Sequence, residues 1–135
     1  MPTDLPSIAV ARAALFAWLV SACLGTSPNV WAGGPFGPET CKPGYVWREA
    51  CGPNDHVCVS GATRSAAAAD NAARVSRRAG HGNYGPDTCN PGYVWREACG
   101  PQDHVCVSAA RRAQAAADNA AQRRATLARR YSGMC

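Results

Sequence analysis

Cys41, Cys51, His56 and Cys58 lie close together in the chain, and the same set returns as Cys89, Cys99, His104 and Cys106. Three thiols and an imidazole are ligand types that zinc accepts. The spacing Cys-x9-Cys-x4-His-x-Cys follows no zinc-site pattern, however, and the amino terminus, considered below, marks the chain for export. Exported thiols oxidise, so the cysteines are read as a disulfide framework with no metal and no cofactor. Asp55, His56, Cys58 and Ser60 are residue types used in nucleophilic catalysis. Adjacent strand residues point to opposite faces, and no G-x-S-x-G elbow or second histidine supports them. Glu49 and Asp55 form a carboxylate pair of the kind any hairpin contains. No catalytic residue is assigned, and the chain is read as non-enzymatic.

One further constellation is Tyr45, Trp47 and Glu49, repeated as Tyr93, Trp95 and Glu97. Aromatic rings cover the apolar faces of sugars while a carboxylate accepts from hydroxyls, so these are candidate glycan-binding residues. Two copies pointing outward would gain avidity. Against this stands the scarcity of large apolar residues in an alanine-rich chain, which leads to the expectation that these rings form the core.

The elements that position these residues come in two copies. Pro43–Ser60 (PGYVWREACGPNDHVCVS) returns at Pro91–Ser108 with one change, Asn54 to Gln102. The wider segments 37–74 and 85–122 align without gaps at an offset of 48, with 30 of 38 positions identical. Such a tandem duplication implies two like structural units. They are taken as repeat 1 (37–79) and repeat 2 with its tail (85–135). Residues 80–84, within the longer stretch Val75–Tyr84, form a linker.

In each unit Tyr45–Ala50 and His56–Val59 read as strands, joined by a turn at Gly52, Pro53, Asn54 and Asp55. Alternation sets Tyr45, Trp47 and Glu49 on one face and Val46, Arg48 and Ala50 on the other. A lone hairpin is marginal in water, so the alanine-rich segment that follows must cover it. That segment opens with Ser60 as a helix N-cap and is expected to run to Gly80. Its counterpart begins at Ser108 and continues to Gly133. Asp70-Asn71 and Asp118-Asn119 are unusual inside a helix. Arg64 and Asn71 lie seven residues apart, as do Arg112 and Asn119, so each pair shares a helix face. The polar stripe is expected to dock on Glu49 or on hairpin backbone. The fold class is therefore α+β: a small disulfide-stabilised protein of two tandem strand-strand-helix repeats.

The run C-x-P-G-Y-V-W-R-E-A, then D-H-V-C-V-S, then A-D-N-A resembles a repeat found in exported bacterial proteins, over 38 residues in each copy. The resemblance implies that Cys41 pairs with Cys58 and Cys89 with Cys106. It carries over no catalytic or binding residue. Cys51 and Cys99 are additions to that pattern, and Ser60-Gly61 and Ser108-Ala109 stand where Thr-Pro usually opens the helix.

Residues 1–32 read as a signal peptide. Ala13–Leu24 is an apolar run after Arg12, too short for the roughly 20 residues that span a bilayer, and Val30–Ala32 offers a cleavage site before the segment 33–36. Val20-Ser21-Ala22-Cys23 offers a second reading, a lipobox that would lipidate Cys23. An uncleaved anchor is a third. All three export the protein, to an extracellular or periplasmic position or one anchored to the cell envelope.

The formal charge of +5 admits attraction to a cell-wall polymer or another anionic envelope surface. The basic runs carry no interleaved aromatics, so nucleic acid is not an expected partner. The function expected from these features is that of a structural or adhesive module of the cell envelope, with carbohydrate binding through the Tyr/Trp/Glu faces as the alternative.

Seven cysteines follow Gly33, an odd number. After the two pairings within the repeats, Cys51, Cys99 and Cys135 remain. A Cys51–Cys99 bond would clamp the repeats together and leave Cys135 to link two chains; otherwise Cys135 folds back on one of them. A disulfide-linked homodimer, or a mixed disulfide at Cys135, is therefore expected. A non-reducing gel should show a dimer band that disappears in Cys135→Ser, whereas a monomer with one free thiol at Cys51 or Cys99 would assign Cys135 an internal partner.

Overall fold

A computed structural model of the 135-residue chain describes residues 37–132, all within one compact unit. The signal segment, Cys23, the segment 33–36 and Cys135 lie outside the described residues. The order of elements is β1 (Val46–Trp47), β2 (Cys58–Val59), α1 (Gly61–Ala72), β3 (Val94–Trp95), β4 (Cys106–Val107) and α2 (Ala109–Ser132). β1 pairs antiparallel with β2 in the register Val46↔Val59 and Trp47↔Cys58, and β3 pairs with β4 in the equivalent register. The fold is α+β, two hairpins and two helices stapled by disulfides.

Each ladder is shorter than the apolar pattern implies, because the hairpin tightens into its turn. Arg48 N donates to Val57 O at 2.8 Å and Glu49 N to Asp55 O at 3.2 Å. Glu49 then takes a left-handed conformation, φ 54°, and Glu97 matches it at 57°. Three disulfides hold the framework: Cys41–Cys58, Cys89–Cys106 and, between the repeats, Cys51–Cys99. Each bond closing 17 residues of chain contributes about 3 kcal/mol by restricting the unfolded state.

The core is not aromatic. Trp47 and Trp95 are only half-buried, and the expectation that they fill the interior is corrected. The buried apolar residues are Ala50, Val59, Ala67, Ala98, Cys106, Val107 and Ala115. Four of these seven are alanines, whose small side chains return little transfer energy. What fills the centre is charged: Arg48 and Arg96 are 3% and 4% exposed, and Asp55 and Asp103 are both 8% exposed.

Arg48 makes a bidentate pair with Asp55, Nε to Oδ2 at 2.9 Å and Nη2 to Oδ1 at 3.0 Å. Asp55 Oδ2 also accepts from Ala50 N at 2.9 Å, so the same carboxylate closes the turn. The remaining arm of Arg48 crosses to the other repeat, where Nη1 donates to Asn119 Oδ1 on α2 at 3.0 Å. Repeat 2 returns the contact: Arg96 Nη1 donates to Asn71 Oδ1 on α1 at 2.8 Å. Each asparagine amide donates back to its own hairpin, Asn71 to Ala50 O at 3.0 Å and Asn119 to Ala98 O at 2.8 Å. This is the docking the polar stripe implied, and Arg64 completes it by pairing with Glu49.

α1 stops at Ala72 rather than near Gly80. Beyond it, Arg78 forms an antiparallel bridge with Cys89, Ala79 N donates to Thr88 O at 2.8 Å, and Asn90 N donates to Arg77 O at 2.9 Å. Backbone groups spent on that bridge are unavailable to a helix. Arg77, carried on the unwound turn, pairs with the buried Asp70 at 2.8 Å. Nothing comparable interrupts α2, which runs to Ser132.

The two copies differ at one pair of equivalent aspartates, Asp70 and Asp118. Asp70 accepts from Arg77 and from Arg111 of α2. The equivalent Asp118 receives Gln114 on one oxygen and leaves Oδ2 buried without a partner. Thr63 and Ala125 stand where the two arginines would be.

Two stability changes follow. Arg48→Met leaves Asp55 buried and unpaired and should cost about 3–5 kcal/mol, read by urea denaturation with the disulfides intact. Thr63→Arg places a guanidinium opposite Asp118, as Arg111 stands to Asp70, and should raise stability by about 1 kcal/mol. An unchanged midpoint in Thr63→Arg would show that the pseudo-equivalence does not extend to this pair.

Candidate functional site: two equivalent aromatic clefts

With the centre occupied by arginine and aspartate, the opposite hairpin face is left at the surface. In repeat 1 a cleft of about 300 Å³ is lined by Thr40, Cys41, Tyr45, Val46, Trp47, Glu49 and Arg64. In repeat 2 a cleft of about 270 Å³ is lined by the same positions, Thr88, Cys89, Tyr93, Val94, Trp95, Glu97 and Arg112, with Tyr84 added. All six candidate residues, Tyr45, Trp47, Glu49, Tyr93, Trp95 and Glu97, therefore line these two clefts. Val46 and Val94, assigned by alternation to the other face, reach them too.

Local geometry explains the placement. The disulfide Cys41–Cys58 ties the entry of the hairpin to β2 beneath the rings. The left-handed turn of Glu49 aims its carboxylate back toward α1, where Arg64 Nη2 donates to it; Glu97 and Arg112 repeat the arrangement. A non-glycine residue held at positive φ costs about 1 kcal/mol. That strain recurs in both copies at the residue bearing the cleft carboxylate. Tyr45 and Tyr93 are exposed, with Lys42 Nζ 4.7 Å from the Tyr45 ring centroid and Arg77 5.2 Å from that of Tyr93.

Each tryptophan is held by an acid and a histidine. Trp47 Nε1 donates to Glu39 O at 2.8 Å, and His56 packs on the ring at 4.0 Å between centroids while its Nδ1 pairs with the Glu39 side chain. In repeat 2, Trp95 Nε1 donates to Asp87 O at 2.8 Å, His104 stacks at 4.0 Å, and His104 Nδ1 lies 2.9 Å from Asp87 Oδ2. Tyr84 meets Trp95 edge-on at 4.7 Å. The hydrogen bond from His104 is the main cause that holds the Asp87 carboxyl below its ordinary value, and the nearby Arg78 adds to it.

The histidines thus orient rings, and His56 is not set beside a cysteine thiolate, since Cys41, Cys51 and Cys58 are all in disulfides. Among the described residues no cluster of three or more metal-ligating side chains occurs. Nor is any described helix long and apolar enough to cross a membrane.

Sequence reasoning grouped the rings and the carboxylates on one hairpin face but expected that face to be core, and it missed their supports. Glu39 and Asp87 differ in type between copies, which hid their common role. Their constant offset of 17 from His56 and His104 was the available signal.

No protein-family model matches the chain, and no curated protein or solved structure matches it significantly.

Ionised Asp87 is favoured by the fold, so its contribution to stability is complete above the ordinary value of 3.8 and is lost as pH falls through the lower folded value. Melting curves of the wild type and Asp87→Asn should differ at pH 6 and converge as the pH drops below 3.8. A constant difference across that range would show that His104 does not hold the carboxylate.

Proposed function

We propose that the protein is an exported, non-enzymatic adhesive module of the cell envelope that grips carbohydrate in its two equivalent clefts. The observation that carries this reading is the repetition of one cleft, ring for ring and ion pair for ion pair, on a face that the fold does not use as core. Tyrosine and tryptophan offer apolar surface to a sugar ring, and the Glu–Arg pair offers an acceptor and donors to its hydroxyls. Multiple disulfides suit an extracellular or otherwise oxidising environment.

Positive charge favours an anionic wall polymer. Arg123, Arg124, Arg129 and Arg130 lie along the second half of α2, where no acidic residue follows Asp118. Single sugar contacts are weak, and two clefts on one rigid module raise the effective concentration at the second. With Cys51 bonded to Cys99, a link between chains through Cys135 would give a dimer that carries four clefts.

The strained glutamates provide the test. Glu49→Gly/Glu97→Gly removes the left-handed strain at both sites, worth about 1 kcal/mol each, against a similar entropy cost for glycine and exposed ion pairs worth at most about 1 kcal/mol. Stability should change little, while co-sedimentation with insoluble cell-wall polysaccharide should fall by tenfold or more, about 1.4 kcal/mol. Undiminished co-sedimentation by a folded double variant would contradict the reading.

A further inference from the structure

The three disulfides are not in equivalent surroundings. Cys106 is fully buried, and Cys41, Cys58 and Cys89 are partly covered, whereas Cys51 and Cys99 are both exposed, each just before the glycine that opens its hairpin turn. The sulfur atoms of the inter-repeat bond also have partners of their own. Arg48 Nη2 lies 4.0 Å from Cys51 Sγ, and Arg96 Nη2 lies 3.9 Å from Cys99 Sγ. By contrast, Cys58 Sγ lies 3.7 Å from His56 O and Cys106 Sγ 3.8 Å from His104 O, both carbonyl oxygens.

The geometry points to Cys51–Cys99 as a redox-active latch between the repeats, opened by a dithiol reductant. A thiolate of the reductant attacks Sγ of one of these two exposed cysteines. The sulfur–sulfur bond breaks, its electron pair leaves on the other Sγ, and a mixed disulfide forms. The second thiolate of the reductant attacks its own sulfur in that mixed disulfide and expels the remaining cysteine thiolate. Two electrons pass to the protein, the reductant becomes a disulfide, and two protons restore the thiols when the thiolates are protonated.

Each leaving thiolate meets guanidinium N–H groups, and a better-stabilised leaving thiolate leaves faster. The charged groups around it are Arg48 with Asp55 on one hairpin and Arg96 with Asp103 on the other. Each pair is neutral overall; an arginine Nη2 lies within 4.0 Å of each sulfur, while the aspartates accept from Cys51 N at 3.4 Å and Cys99 N at 3.3 Å. Asp55 turns its carboxylate onto Arg48 Nε and Nη2 and onto Ala50 N, and Asp103 does the same in repeat 2.

Opening the latch removes the one described covalent link between hairpins and leaves Cys41–Cys58 and Cys89–Cys106 in place, so each cleft keeps its own closure. The repeats are then joined by the polypeptide and by non-covalent contacts: the Arg–Asn exchange, Arg96 Nη2 to Ala50 O, the Arg111–Asp70 pair and the bridge at Arg78↔Cys89. Reduction would loosen the relation between the two clefts without dismantling either.

The oxidised full-length protein is titrated with dithiothreitol, quenched with N-ethylmaleimide and mapped by peptide mass. Cys51 and Cys99 should be alkylated together, at a rate at least about tenfold above the other two pairs. Partly reduced protein, treated with iodoacetamide across pH, should show half-maximal alkylation of Cys51 and Cys99 below the ordinary thiol value of about 8.5. Earlier opening of Cys41–Cys58 or Cys89–Cys106, opening of all three together, or alkylation that rises only at or above that value would overturn the assignment.

Discussion

A buried guanidinium must have every donor satisfied, and Arg48 and Arg96 cannot meet that demand within their own hairpins. Asp55 and Asp103 take two donors each from their respective arginines and close the turns with the same oxygens. The third arm finds an acceptor only on the helix of the other repeat. Pairs of this kind add little net stability over water. They forbid alternatives, because any docking that strands one guanidinium carries a large desolvation cost. The repeats are therefore parts of one structure, and the alanines of α1 and α2 permit the close approach that the exchange requires.

That solution also determines what is left at the surface. Once an Arg–Asp pair and a few alanines and valines occupy the centre, the tyrosines and tryptophans are not needed there. They are placed instead over the disulfides, on the far face of each hairpin, with histidine and an acid bracing each indole. The disulfides replace the stability that an aromatic core would have provided. The two clefts follow from one duplicated sequence, but the scaffold around them has diverged. Asp70 keeps two arginine partners that Asp118 lacks, and α1 yields to the bridge at Arg78↔Cys89 where α2 continues.

Much of this was legible in the residues. The 48-residue offset marked the two units, turn chemistry at Gly52–Asp55 marked the hairpins, and Ser60 marked the start of α1, where its hydroxyl accepts from Thr63 N at 3.1 Å. The shared face of Arg64 and Asn71 anticipated how the helix docks. What could not be read was which hairpin face turns inward. Size favoured the rings and charge disfavoured Arg48, and only the partner supplied by the other repeat reverses that preference. The end of α1 was hidden for a related reason: Ala73–Ala79 has helical propensity, but Arg77–Ala79 pairs with a segment about ten residues further along the chain. Local preference is silent about such contacts.

The arginine exchange couples the two repeats reciprocally, and hydrogen exchange can measure that coupling directly. In a Cys51→Ser/Cys99→Ser background, where no bond couples the hairpins covalently, Asn71→Ala removes the acceptor of Arg96 Nη1, leaving Nη2 to Ala50 O, while altering only repeat 1. The amides of Arg48 and Arg96, bonded to Val57 O and Val105 O, report on the two hairpins separately. Equal loss of protection at both amides is the predicted result. Loss confined to Arg48, with Arg96 protected as before, would mean that the repeats fold independently and would contradict the account.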